Sequence, residues 1–128
     1  MRLSKEEKEQ LCQRLPRILR EQRIDSPAAV TGRYAEFHLT NDDFFHVIEG
    51  EVEFVIGGKA TGQVRQGSNP SDPTLVSPAI VGGEKHILEQ GDAIHIPAGV
   101  WHQWGTKGPV KMMVFKIPAA EGKVEPQP

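Results

Sequence analysis

"GDAIHIPAGVWHQW" (residues 91–104) packs a turn, a strand, a rigid corner and a histidine into fourteen positions. Gly91 and Asp92 mark the turn, and Ala93 to Ile96 alternate as a strand does. Pro97 ends the ladder because it has no N–H to donate. Gly99 permits a bend that a β-carbon would obstruct. His102 follows three residues later and starts the next strand. The stretch is either a plain turn with an incidental histidine, or a corner that aims an imidazole into a cavity.

Outward from this stretch the hydrophobic period is two. Segments 33–39, 43–49, 51–57, 84–89, 93–97 and 110–117 are short, rich in Val, Ile and Phe, and bounded by Gly, Pro, Asn or Asp. No helical pattern separates them, so a mainly antiparallel sandwich or barrel is expected over residues 28–118. Residues 60–78 lack periodicity and hold three prolines, which reads as a long excursion over a barrel mouth or toward a neighbour. Residues 4–23 read as helix. Ser4 and Glu7 form a capping box, and Leu11, Leu15, Ile18 and Leu19 share a stripe that Pro16 interrupts with a kink. The expected layout is a helical segment over 1–27, a β-domain over 28–118 and a flexible tail over 119–128.

A chain of 128 residues has room for one core. Its net charge of −2 argues against a nucleic-acid partner, and the arginines at 14, 17, 20 and 23 interleave with acids as a solvated face does. Cys12 is the only cysteine, so no internal disulfide forms. The charged N-terminus is unlike a signal peptide, and no apolar run approaches the roughly 18 residues of a membrane span. A cytoplasmic protein without a membrane partner is the expectation.

The spacing Gly91-x5-Pro97-x-Gly99-x2-His102 resembles the second motif of the cupin superfamily, with Thr106 where that family carries asparagine. Counting back from Gly50, "EFHLTNDDFFHVIEG" (36–50) resembles the first motif, with Glu36 in place of its first histidine, His38 as the second, and Asp43 in place of its glutamate. The resemblance implies a small all-β, antiparallel jelly-roll barrel of the RmlC-like kind, often a homodimer. It also implies one divalent transition metal such as Fe, Mn, Zn or Ni, held by His38, Asp43 and His102 with Glu36 as a fourth ligand. Independently, Glu36 and His38 are two apart on a strand and leave the same face, and imidazole with carboxylate suits such ions.

Asp is one methylene shorter than Glu, and Glu36 adds negative charge where an imidazole is neutral. Both histidines are therefore either ligands or hydrogen-bonded barrel residues in a metal-free relative. If it is not a ligand, Glu36 is placed to serve as a general base. Strand alternation sends His46 and His95 outward, and His86 lies in a lysine-containing turn region open to solvent. Phe45 and Trp104 are expected to line a pocket around the site, Met113 and Phe115 to join them from the last strand, and Trp101 to sit at the rim as lid or interface.

Two functions fit these residues. One is a metal-dependent enzyme acting on a small organic molecule by dioxygenase, isomerase, lyase or cyclase chemistry. The other is a binding module that holds such a molecule without metal or turnover.

Overall fold

Alternating apolar residues broken by glycine and proline leave this chain little choice but short antiparallel strands. The computed structural model describes residues 4–7 and 19–119. Twelve strands lie among them: β1 (Arg20–Ser26), β2 (Ala35–His38), β3 (Asn41–Glu49), β4 (Val52–Ile56), β5 (Lys59–Thr61), β6 (Arg65–Gln66), β7 (Thr74–Ser77), β8 (Ala79–Val81), β9 (Glu84–Leu88), β10 (Ala93–Ile96), β11 (His102–Gly105) and β12 (Val110–Pro118). A four-stranded sheet runs β1-β12-β3-β10, a six-stranded sheet runs β6-β7-β2-β11-β4-β9, and β5-β8 forms a two-stranded ribbon. All pairings are antiparallel, giving a jelly-roll whose barrel is not closed by hydrogen bonds.

The core between the sheets is apolar toward one end. Phe45, Val47, Val52, Phe54, Leu88, Ile96, Trp104, Val110, Met112 and Val114 form one cluster, with the Phe45 and Phe54 rings edge to face at 4.9 Å. Ala35, Phe37, Leu39 and Trp101 form a second, on the opposite face of β2 from Glu36 and His38, and Leu75, Ala60 and Ile80 cover it. Gly50 turns the chain from β3 to β4 at φ 94°, where a β-carbon would lie 2.4 Å from the Pro109 carbonyl oxygen.

Four expectations are corrected. Residues 20–23, read as the end of a helix, belong to β1, because their side of the chain completes a ladder with β12 from Arg20↔Lys116 to Ser26↔Val110. Of the expected N-terminal helix, residues 5–7 are helical, and residues 8–18 lie outside the described residues. There the capping box forms as expected, Ser4 N donating to Glu7 Oε1 and Glu7 N to Ser4 Oγ, each at 3.1 Å. Leu11, Leu15, Pro16 and Ile18 fall outside the described residues, and Leu19 is exposed.

The 60–78 excursion is built into the fold. Its β7 pairs with β2 from Ala35↔Ser77 to His38↔Thr74, and residues 59–61 pair with 79–81. Trp101 is neither lid nor rim: it is buried against Phe37 with ring centroids 5.3 Å apart. Met113 and Phe115 do not face the interior. Val110, Met112, Val114 and Lys116 do, because a β-bulge between Lys111 and Met112 sets the register of β12 against β3.

Candidate functional site

Strand pairing brings the site together before any side chain is considered. In the four-stranded sheet, Arg20, Lys116, Asp43 and Ile96 stand opposite one another in one row. In the six-stranded sheet, His102 stands opposite Glu36, and His38 opposite Thr74. These rows border a cavity of about 480 Å³ whose lining includes Arg20, Arg33, Glu36, Asp43, His102 and Lys116, with Phe45 and Trp104 as expected and Val114 where Met113 or Phe115 was expected. The Arg33 guanidinium lies 4.4 Å over the Trp104 ring.

The Pro97-Ala98-Gly99 corner is held by the first motif. Ala98 N donates to Asp42 Oδ1 at 2.8 Å, and Gly99, at φ 83°, donates its N–H to the His38 carbonyl oxygen at 2.9 Å. Asp42 points away from the cavity, as alternation requires, and its Oδ2 lies 2.9 Å from the Nε2 of the part-exposed His95. His46 and His86 also stand apart from the site, and His86 faces Glu84. Thr106, in the family's asparagine position, joins β11 to the chain ahead of β2: its Oγ1 accepts from Val30 N at 2.9 Å and donates to the Gly108 carbonyl.

Both buried imidazoles have their Nδ1 committed outward. His102 Nδ1 donates to the Val100 carbonyl at 3.0 Å. The Thr74 hydroxyl spends its proton on the Asp72 carbonyl at 2.8 Å, so its oxygen accepts from His38 Nδ1, also at 2.8 Å. Each ring thus turns Nε2 toward the cavity, the arrangement that outer hydrogen bonds impose on metal-binding histidines. Ligand atoms of Glu36, His38 and His102 lie within 4.8 Å of one another, and Glu36 Oε2 is 3.3 Å from His38 Nε2. Glu36 Oε1 is 3.6 Å from Arg33.

Asp43 is differently engaged. Its Oδ2 lies 2.9 Å from His38 Nε2 and 3.4 Å from His102 Nε2, while its Oδ1 accepts a short hydrogen bond from Lys116 Nζ. Lys116 Nζ is also 3.5 Å from Asp72 Oδ2 and 3.4 Å from His38 Nε2. Burial opposes charge on His38, but its hydrogen bonds to Asp43 and Asp72, with the charge of Asp43, raise it to about 9. Burial likewise opposes charge on Asp43. The hydrogen bonds from His102 and His38, together with the charges of His38 and Lys116, nonetheless hold its carboxyl far below the usual range. Asp72 is lowered to about 2 against its own burial by His38, Lys116 and Asn41.

Lys116, Asp72, Thr74 and Arg33 were not foreseen as site residues. Asp72 and Thr74 come from the aperiodic excursion and carry no local signal. For Lys116 the signal was ambiguous, because β12 carries one lysine on each face, Lys111 and Lys116. Among the described residues, no buried side-chain nitrogen or oxygen lacks a partner. The donor chemistry fits a divalent ion at Glu36, His38 and His102: one carboxylate and two imidazole Nε2 donors, of which His38 must give up its proton to bind.

Residues 79–116 match the family described as Cupin domain. No curated protein matches the chain. Among solved structures, the chain is similar to the FeII form of HppE, at 16% identity and TM-score 0.52 over 81% of this chain and 45% of that one. It is similar to hydroquinone 1,2-dioxygenase from Sphingomonas sp. TTNP3 with 4-hydroxybenzoate bound, at 13% identity and TM-score 0.52 over 84% and 68%. It is also similar to dTDP-4-dehydrorhamnose 3,5-epimerase from Bacillus anthracis with TDP and PPi bound, at 16% and 0.50 over 89% and 63%. At these identities the likeness is one of fold. The chain spans about half the length of the first of these proteins.

Proposed function

We propose that the chain is a cupin, as the family match over residues 79–116 and the jelly-roll fold support, that it holds one divalent transition metal at Glu36, His38 and His102, and that it acts on a small organic molecule in the adjoining cavity. The observation that supports this most is the orientation of the two imidazoles: both Nδ1 atoms are spent on Thr74 and Val100, and both Nε2 atoms are turned inward to Asp43 Oδ2, with a ligand atom of Glu36 within 4.8 Å. A bound divalent ion supplies Lewis-acid polarisation of a carbonyl or hydroxyl oxygen. The chain supplies the rest. Phe45 and Trp104 give the cavity apolar walls, and Arg20, Arg23, Arg33 and Lys116 set four positive charges against the three carboxylates of Glu36, Asp43 and Asp72. That balance favours an organic anion over a neutral or cationic molecule.

Glu36 is the residue whose role divides the reaction types. As a ligand it closes the donor set; released from the ion, it is a general base beside the cavity, with Arg33 holding it. Metal content by elemental analysis, followed by titration with Mn, Fe, Ni and Zn, tests the reading. One ion per chain in the wild type, weakened in Glu36→Gln for at least one metal, is the expected result. Unchanged affinity for every metal in Glu36→Gln makes Glu36 a base and not a ligand.

The Lys116 contacts favour a second reading. An ammonium beside Asp43, Asp72 and His38 completes the charged network without any ion, and the protein then binds its organic ligand metal-free. No retained metal, in any of the four titrations, selects this reading. In either case we propose a cytoplasmic homodimer; light scattering is expected to give about twice 14.2 kDa, and a clean monomer overturns the assembly alone.

A further inference from the structure

Arg33 precedes β2 in a stretch without regular structure, yet it is held at backbone and side chain alike. Resting on the reading above that the cavity holds a small organic molecule, we propose that this molecule is a carboxylic acid. Arg33, seated on Trp104, is the residue that grips its carboxylate.

The holding is done by β11 and the residue that follows it. Gln103 Nε2 donates to the Arg33 carbonyl oxygen at 2.7 Å and to that of Pro78 at 3.2 Å. Earlier in the same stretch, Val30 is tied to Thr106 twice. Its N–H donates to Thr106 Oγ1 and its carbonyl accepts from Thr106 N, each at 2.9 Å. Gly105 lets the two segments lie this close, since a β-carbon there would stand 3.1 Å from the Val30 carbonyl oxygen. Trp104 carries the side chain, with the Arg33 guanidinium 4.4 Å over its ring. One strand therefore sets both the path of the Arg33 main chain and the place of its charge. Little freedom is left for a ligand to remove on binding.

Held this firmly, the guanidinium still has donors to give. Glu36 Oε1 stands 3.6 Å from it, beyond hydrogen-bond distance, and among the described residues the group makes no hydrogen bond. It lines the cavity together with Phe45, Trp104 and Val114. The indole covers one guanidinium face, so an incoming group meets the N–H edges, which form a planar fork. Two coplanar carboxylate oxygens match such a fork, and the apolar walls suit the body of the acid. A phosphate dianion would bring twice the charge toward the neighbouring Glu36 carboxylate, which disfavours it. Arg20 and Arg23 also line the cavity, but among the described residues no aromatic ring lies under either. They contribute charge and not a fixed fork.

The probes are benzoate and hexanoate, each compared with its own amide by titration calorimetry, because the amide keeps the shape and loses the charge. Wild-type protein, as purified or with Mn2+ added, is expected to bind at least one acid about tenfold or more tighter than its amide. Arg33→Gln is expected to bring that ratio below about threefold while still binding the amide, which a merely structural loss would not do. Arg33→Lys keeps the charge without the fork, and is expected to weaken the acid by about tenfold. Arg20→Gln and Arg23→Gln are expected to weaken it by less than about threefold.

Acid and amide bound equally by the wild type overturn the proposal, and that arm needs no variant to fold. An acid affinity that Arg33→Lys preserves, or that all three Gln substitutions weaken alike, also overturns it, since either shows charge without a fixed anchor. Phenyl phosphate bound more tightly than both acids overturns the carboxylate assignment. Wild-type protein that binds neither acid nor amide overturns the reading that the cavity holds an organic molecule, a result distinct from the others.

Discussion

The two ends of the interior are built from the same strands, yet burial has opposite consequences in them. At one end Met112 of β12 stands between Ile24 of β1 and Val47 of β3. Four residues along, Lys116 stands between Arg20 and Asp43 on the same three strands. Met112 and Asp43 are almost equally inaccessible, at 0% and 1% exposure. Removing Met112 from water stabilises the fold, by about 25 cal/mol for each Å² of apolar surface. Removing Asp43 from water costs free energy that its three partners only offset. Stability is therefore concentrated at the apolar end, and the polar end is a charged network that the apolar end holds in place.

The sharpest way to break this contrast is Phe54→Ala. Phe54 is fully buried at the apolar end, so urea unfolding is expected to show a loss of about 3–5 kcal/mol. A loss below about 1 kcal/mol would place the seat of stability elsewhere. At the polar end the expected loss is of affinity. His102→Ala removes a donor outright and, on the proposed reading, weakens metal binding by more than the roughly 10–100-fold typical of an outer hydrogen-bond partner.

Thr74→Val is such an outer change. It removes the nearer of the two partners of His38 Nδ1, leaving Asp72 Oδ1 at 3.3 Å, and is expected to weaken metal binding by about tenfold in a chelator competition. Smallest of all is His46→Ala, on the outer face of β3, which is expected to leave metal affinity unchanged and stability within about 0.5 kcal/mol. If it strips metal as His102→Ala does, the face assigned to β3 is wrong by one residue.

Acidity separates the ends as well, because only the polar end titrates. His38 has its charged form favoured, so its contribution is full below its ordinary 6.5 and is lost as pH rises through about 9. Asp72 and Asp43 behave oppositely. Their contribution is full above the ordinary 3.8 and falls away with acid, through about 2 for Asp72 and lower for Asp43. The Tm of the metal-free protein is expected to be flat between these two ordinary values and to fall on both sides. A Tm that stays level from pH 6 to pH 10 would show that His38 is not charged in the folded protein.

Much of the fold could be read from the chain because each inner strand announces itself locally, and the corner at 97–99 is specified by residues that tolerate little else. The failures share one cause. In β12 the two faces are nearly equivalent, Val110, Met112, Val114 and Lys116 against Lys111, Met113, Phe115 and Ile117, with one lysine each. Periodicity cannot choose between them; only the partner across the ladder can, and Lys116 faces inward because Asp43 is there. Residues 20–23 look helical by composition and are strand by pairing. Asp72 and Thr74 reach the site because β7 joins β2, a long-range event with no signature in residues 60–78.

The bond from Gly99 N to the carbonyl of His38 has a mechanical consequence. Gly99 stands three residues before His102, so this bond ties the backbone of one imidazole to the strand start of the other. The corner is a strut of fixed length between two rings that are sixty-four positions apart in the chain. A strain applied to either motif is shared by both, and the gap between the two Nε2 atoms is set by the main chain together with the Nδ1 hydrogen bonds that fix each ring. The spacing of these rings should therefore survive surface substitutions and change only when the strut itself is lengthened, shortened or cut.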